Sequence, residues 1–256
     1  MTALVWPTNW QSTLPAAPPR HADVHIWAVQ PAAVATAYER FFQLLSQTER
    51  ARALRFHFER DRITHVVARG ALRLILGRYL QLSPTELHFD TTRFDKPFIT
   101  HPQTTMQFNI SHSADVVLLA FTASRDVGVD VESIRPMPDA DQIVTRFFSA
   151  NEIATWRGLP PSQQNSAFFT CWTRKEAFIK ALGEGLSHPL DQFDVTLQPG
   201  ETAQLSPNDR SQRTIEGWTI RALPMPENYA AALVVAGDHN TPHFTRIADI
   251  GDFTNR

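Results

Sequence analysis

Apolar and polar residues alternate in DVHIWAVQ from Asp23, which predicts a strand, and the spacing turns helical between Ala32 and Leu45. From Asp61 to Tyr79 the residues Ile63, Val67, Ala71 and Leu74 fall at i, i+4, i+8 and i+11. They form the stripe of an amphipathic helix, with Arg62, Arg69 and Arg73 on another face. Ser83-Pro84-Thr85-Glu86 is a capping box with proline at the first helical position and predicts a short helical turn. Three β-rich runs follow: Met106 to Ile110, Val116 to Thr122 and Val127 to Glu132. Beyond Pro136 and Pro138, Ser149-Ala150-Asn151-Glu152 is a second capping box, and a long amphipathic helix runs from Ser162 to Leu182 with Gly183 as its stop. Phe193 to Gln198, Trp218 to Ala222 and Tyr229 to Ala236 read as strands around a polar loop at 199–214. No element is predicted for the last twenty residues.

This order predicts an α+β fold of two halves meeting near residues 123–138. A proline-bearing irregular leader (1–22) precedes an N-terminal half (23–125) and a C-terminal half (126–236), and a tail (237–256) follows. No strong repeat relates the halves, and a junction between them is a natural place for a ligand cleft.

Composition narrows the class. With 43% hydrophobic and 20% charged residues over 256 positions the chain is a folded globular protein, which excludes disorder and collagen. A net charge of −2 argues against duplex DNA as a partner. The longest apolar runs, Val116 to Phe121 and Ala230 to Ala236, fall far short of the ~20 residues of a membrane helix. Met1 to Trp10 lacks the basic-then-apolar pattern of a secretory signal, and the single cysteine makes no internal disulfide, so the expected compartment is the cytoplasm. Cys171 reads as a small buried hydrophobe.

Of 24 basic residues only Lys96, Lys175 and Lys180 are lysine, so a position that keeps lysine is one where a compact point charge matters. Residues 50–96 carry ten Lys/Arg against five Asp/Glu, whereas 110–145 carry two against six. Such segments suit a phosphorylated ligand with its divalent cation, or are solvated faces. Asp130 and Glu132 project from one face of a predicted strand whose neighbours Val127, Val129 and Val131 are apolar; they are either an oxygen-donor pair for Mg²⁺ or Mn²⁺ or an exposed acidic face. Glu176 and Lys180 stand at i and i+4, either as a surface pair or beside the core formed by Phe168, Trp172, Ile179 and Leu182. His112, between two serines at a strand end, is structural or faces a cleft. The chain has no P-loop, and Gly183-Glu184-Gly185 lacks the context of a dinucleotide fingerprint.

Taken in order, FNISHS (108–113), VGVDVES (127–133), FFSANE (147–152) and WTRKEAFIKALGEGLSHPL (172–190) resemble the two-halved, Sfp-type 4′-phosphopantetheinyl transferases, with DKPFI (95–99) and ERARALRF (49–56) extending the likeness upstream. The resemblance implies two similar α+β halves arranged as a pseudo-dimer with the active site in the cleft between them, acting as a monomer. It implies transfer of the phosphopantetheine arm of coenzyme A, the co-substrate, onto a serine of an apo acyl or peptidyl carrier protein. Adenosine 3′,5′-bisphosphate is released and Mg²⁺ is used, with Mn²⁺ as a possible substitute. By matching positions, Asp130, Glu132 and Glu176 are the implied metal carboxylates and Glu176 the candidate base. Lys180 meets the pyrophosphate, and Asn109, Ser111 and His112 lie in the phosphate-contacting motif. Lys96 is the lysine of the family's G-K-P motif, Arg52 reaches the 3′-phosphate, and Arg93 lies near the adenine. Apolar residues around Phe147 and Phe148 are a candidate carrier surface.

One departure is visible. Asp95 replaces the glycine before Lys96-Pro97; aspartate tolerates turn geometry, but its charge opposes phosphate contact. The competing readings are a non-catalytic coenzyme A or carrier-protein binding module, and a metal-dependent phosphodiesterase.

Overall fold

The computed structural model describes residues 4–12, 15, 17–185, 188–211, 215–238 and 240–247. Parts of the expected leader and tail, and Leu186 and Ser187 of the WTRKEAFIKALGEGLSHPL motif, lie outside the described residues. The first elements are β1 (His25–Val29), a 3₁₀ segment (Pro31–Ala37), α1 (Tyr38–Leu44), α2 (Gln47–Ala53), α3 (Glu59–Leu80) and a 3₁₀ turn (Pro84–Glu86). Next come β2 (His88–Thr91), β3 (Pro97–His101), β4 (Gln107–Ser113), β5 (Val116–Thr122) and β6 (Val127–Ser133). The chain continues through α4 (Ala140–Phe147), α5 (Ala150–Gly158), α6 (Pro161–Leu182), β7 (Phe193–Val195), β8 (Leu205–Pro207), β9 (Trp218–Ala222), β10 (Tyr229–Ala236) and β11 (His243–Ile247). The fold is α+β.

Two compact units form: Thr8–Ser124 with Asn240–Arg256, and Arg125–His239 with Met1–Pro7. The N-terminal unit has a four-stranded sheet ordered β11-β1-β5-β4, with β11 parallel to β1 (His25 opposite His243) and the other pairs antiparallel. Every residue of β1 and β5 is buried, because both faces are covered and alternation gives way to continuous apolar sequence. The 22-residue α3 lays Val67, Ala71, Leu72 and Ile75 into a core shared with Trp27, Phe41 and Phe121.

Two features differ from the expectation. Past residue 240 the chain enters the N-terminal unit's sheet as β11, a strand too short and too polar (HFTRI) to register in the sequence pattern. Arg73, expected on a solvated face, is 2% exposed. It donates to the carbonyls of Pro84 and Leu87 at 2.9 Å and pairs with Glu49 at 2.7 Å, which satisfies a charge that burial alone would forbid.

In the C-terminal unit, α6, also of 22 residues, lies against a three-stranded antiparallel sheet ordered β6-β10-β9. Gly183 takes φ +73 and closes α6 with its N–H on Ile179 O, as the left-handed C-cap requires. Ser149 and Glu152 form the expected capping box on α5. At Gly128 the strand meets the helix backbone to backbone: a Cβ there lies 2.0 Å from Ala177 O and 2.4 Å from Ala181 N. No helix among the described residues is long and apolar enough to cross a membrane.

Two histidines of the N-terminal unit are held neutral. His25 Nδ1 accepts from the Tyr79 hydroxyl at 2.6 Å, which itself accepts from Trp27 Nε1 at 2.8 Å; burial, with His243 adding, lowers His25 to about 4. Burial also lowers His65 to about 4, helped by Arg69 and Arg52. The unfolded chain takes up these protons near pH 6.5 and the folded chain does not. Their contribution, up to about 3 kcal/mol each, is therefore complete above pH 6.5 and is lost as pH falls toward 4. Thermal unfolding is expected to show that loss across this window, with His25→Gln losing less; an equal loss in the variant would assign it to other groups. For Gly128→Ala the expected destabilisation is at the upper end of about 1–3 kcal/mol, since the blocking atoms are backbone. Denaturant titration checks this, and an unchanged midpoint would show that α6 can shift freely.

Candidate active site

Asp130 lies in the middle of β6, 3% exposed, with Val129 and Val131 beside it and Ala232 opposite on β10. The approach at Gly128 brings α6 close enough for Lys180 Nζ to donate to Asp130 Oδ1 at 2.5 Å. Glu132, two residues on and on the same face, accepts from Arg135 Nη1 at 3.2 Å. Glu176, one turn before Lys180, is half-buried.

Charge ties the four groups together. Burial pushes Glu176 up to about 7; Lys180 opposes this, and the carboxylates of Asp130 and Glu132 reinforce it. Burial alone pulls Lys180 down, yet Asp130, Glu176 and Glu132 outweigh it and hold the ammonium above its usual value. The alternative of a solvated acidic face is thus set aside for Asp130, whose carboxylate is buried against an ammonium. Near neutral pH Glu176 exists in both protonation states, as a group that exchanges a proton with a substrate requires.

Among the described residues no group of three or more His, Cys, Asp or Glu is drawn together closely enough to ligate an ion as the side chains stand. The donor set itself fits a hard divalent cation: three carboxylates, with no sulfur or imidazole, where burial and the two neighbouring carboxylates push Glu176 toward taking a proton. Lys180 now rests on one of those donors and Arg135 on another. Asp130, Glu132 and Glu176 are the residues that would hold the ion.

The other two lysines behave differently. Lys175 is wholly buried and structural, as described below. Lys96 is half-buried in the β2–β3 hairpin, where Asp95 takes φ +61 and bonds N–H to Thr92 O at 3.0 Å, so the turn forms with aspartate in the glycine's place.

Arg52, the pocket's expected cation, lines an opening of about 460 Å³ in the N-terminal unit together with His65, Arg69, Asp95 and Pro97. His112 borders a separate opening of about 280 Å³ with Phe56, Arg60 and Thr64. Asn109 and Ser111 are buried on β4 at 5% and 6% exposure, while Arg93 is exposed and stacks 4.5 Å above the Phe94 ring. His65 escaped the sequence reading and Arg69 was read only as a helix-face arginine, although their i, i+4 spacing on a predicted helix marks a shared face. Arg69 is itself lowered mainly by burial, and after burial its field and that of Arg52 disfavour a proton on His65, with Glu49 opposing in both cases. Of the candidate carrier surface, Phe148 is core, 2% exposed and stacked on Phe168 at 5.8 Å, and Phe147 is half-buried against Trp172 at 5.9 Å. Cys171 is buried as expected, its thiol pushed well above the usual range by burial.

Residues 126–234 match the model of the 4′-phosphopantetheinyl transferase superfamily, and residues 30–124 match that of the 4′-phosphopantetheinyl transferase N-terminal region. The 4′-phosphopantetheinyl transferase HetI of Nostoc sp. is 34% identical over 224 residues, covering 87% of this chain and 91% of its own. The 4′-phosphopantetheinyl transferase Sfp of Bacillus subtilis is 33% identical over 183 residues, 71% of this chain and 80% of its own. Among solved structures, Thermotoga maritima holo-[acyl-carrier-protein] synthase overlaps 44% of this chain and 64% of its own at 22% identity and a TM-score of 0.35, a likeness that carries no weight. On the family matches and on relatives that share most of its length, the chain belongs to the 4′-phosphopantetheinyl transferase superfamily.

Proposed function

We propose that this chain transfers the phosphopantetheine arm of coenzyme A to a serine of an apo acyl or peptidyl carrier protein and releases adenosine 3′,5′-bisphosphate. The observation that carries the reading is the cluster of Asp130, Glu132, Glu176 and Lys180, where a carboxyl near its midpoint at neutral pH stands beside an ammonium and two further carboxylates. A pure binding module has no use for a poised proton acceptor.

In the proposed reaction the carrier serine oxygen attacks the phosphorus next to the pantetheine arm, and the bond to the adenosine-side phosphate oxygen breaks. The serine proton passes to Glu176, directly or through water; unassisted, a serine hydroxyl is a poor nucleophile. Lys180 offers its ammonium to the pyrophosphate as negative charge builds on the leaving oxygen. Mg²⁺ held by Asp130, Glu132 and Glu176 supplies Lewis-acid stabilisation of the same charge when bound. Arg52, with His65 and Arg69 beside it, binds the 3′-phosphate; Lys96, Asn109, Ser111 and His112 complete the phosphate contacts, and Arg93 lies toward the adenine. The same reading makes the protein a monomer, as the resemblance implies, that works in the cytoplasm, as its lack of a secretory pattern and its single cysteine suggest.

Intact-protein mass spectrometry of apo carrier incubated with coenzyme A, Mg²⁺ and the enzyme is expected to show a gain of one phosphopantetheine group, lost on chelation and with Glu176→Ala. Coenzyme A binding without that gain on any carrier would support the binding module; coenzyme A breakdown without a carrier would support the phosphodiesterase. Asp130→Ala is expected to lower turnover by at least about 100-fold with the fold retained, and near-normal turnover at low Mg²⁺ would sink the metal assignment. Lys180→Ala should lower kcat/KM by about 100-fold, whereas an unchanged value would make the lysine a structural partner of Asp130 alone.

A further inference from the structure

Lys175 precedes Glu176 on α6 and is 0% exposed. Its ammonium has three N–H donors and three acceptors: Leu190 O at 2.7 Å, Phe193 O at 2.7 Å and Glu152 Oε1 at 2.8 Å. The ring of Phe193 lies 4.2 Å from the nitrogen. Glu152 is equally committed. Its Oε1 also accepts from Val195 N at 2.7 Å and its Oε2 from Ser149 N at 2.8 Å, so one carboxylate caps α5, pins β7 and holds the lysine.

A buried ion pair is a poor device for stability alone, since apolar side chains of the same volume often do as well. What it supplies is direction. Successive helix residues differ by about 100° in azimuth, so Lys175 fixes α6 from a side different from the Glu176–Lys180 ridge. The contact of Gly128 with Ala177 and Ala181 fixes the helix from a further side. Two such constraints remove rotation about the helix axis, and any residual rotation would carry Glu176 and Lys180 away from Asp130.

We infer that the Glu152–Lys175 pair is a positioning device for the active site: it sets the rotation of α6 that aims Glu176 and Lys180 at the β6 carboxylates. Neither residue touches the reacting atoms. The inference rests on the proposed transferase reading and on Mg²⁺ as the ion at the three carboxylates.

The test replaces both partners, Glu152→Gln with Lys175→Met, to avoid stranding one buried charge. Mg²⁺ binding is measured by calorimetry without substrates, alongside the melting temperature, kcat and the KM for the carrier. Expected is a folded variant melting within a few degrees of wild type, with Mg²⁺ affinity and kcat each reduced by about 10–100-fold and carrier KM unchanged. A folded variant with wild-type Mg²⁺ affinity and kcat overturns the inference. If the double variant fails to fold, Glu152→Gln alone, which keeps the side-chain volume and the bond to Val195 N, is judged by the same criteria. A wild-type enzyme that binds Mg²⁺ and transfers nothing overturns the transferase reading instead, and the affinity comparison still decides the role of the pair.

Discussion

A helix and a strand normally pack at a distance set by the side chains between them, and at that distance a lysine on one does not lie 2.5 Å from an aspartate at the centre of the other. Position 128 removes the spacer. With only a hydrogen where a Cβ would strike Ala177 O, β6 settles onto the backbone of α6, and the charges at 130 and 180 are pressed together as a result. Electrostatics in the C-terminal unit follows from that contact: the ammonium stays charged, and Glu176 is driven toward neutrality.

The two units carry their charge differently. The C-terminal unit gathers Asp130, Glu132 and Glu176 around the Lys180 ammonium, while the N-terminal unit lines an opening with Arg52, Arg69, Arg73 and His65 alongside Glu49, Asp90 and Asp95. Asp95 shares the wall of that opening with Glu49 and Asp90, and its backbone at φ +61 explains the tolerance of aspartate there without explaining its charge.

Much of this was legible in the sequence, for physical reasons. The two long helices repeat apolar positions over many turns, and Gly183 marks the stop of α6, so α3 and α6 matched their predicted spans closely. The strand with Asp130 and Glu132 was found because its valines alternate with small and acidic residues. Several elements carried too little pattern to find: α2 and α4 are seven and eight residues long, the β2–β3 hairpin is largely exposed, β8 is three residues inside a polar stretch, and β11 is a short edge strand. Arg73 and Lys175 were hidden for another reason. A buried cation looks like any other cation in a sequence, and only the carbonyls of Pro84, Leu87, Leu190 and Phe193, contributed by distant turns, mark it as interior. The scarcity of lysine pointed to position 175 without revealing its use.

The return of β11 to the sheet of β1 sets the order in which the chain can be completed. The strand that flanks β1 is encoded after the C-terminal unit, so the N-terminal unit lacks this strand until residues 243–247 have been made. Meanwhile β1, apolar from Ile26 to Val29, exposes one row of unpaired backbone groups. The C-terminal unit, continuous from Arg125 to His239 apart from its short N-terminal segment, can be assembled during that interval. The N-terminal unit is therefore closed only after the C-terminal unit has been made, and β11 acts as the seal on a sheet begun more than two hundred residues earlier.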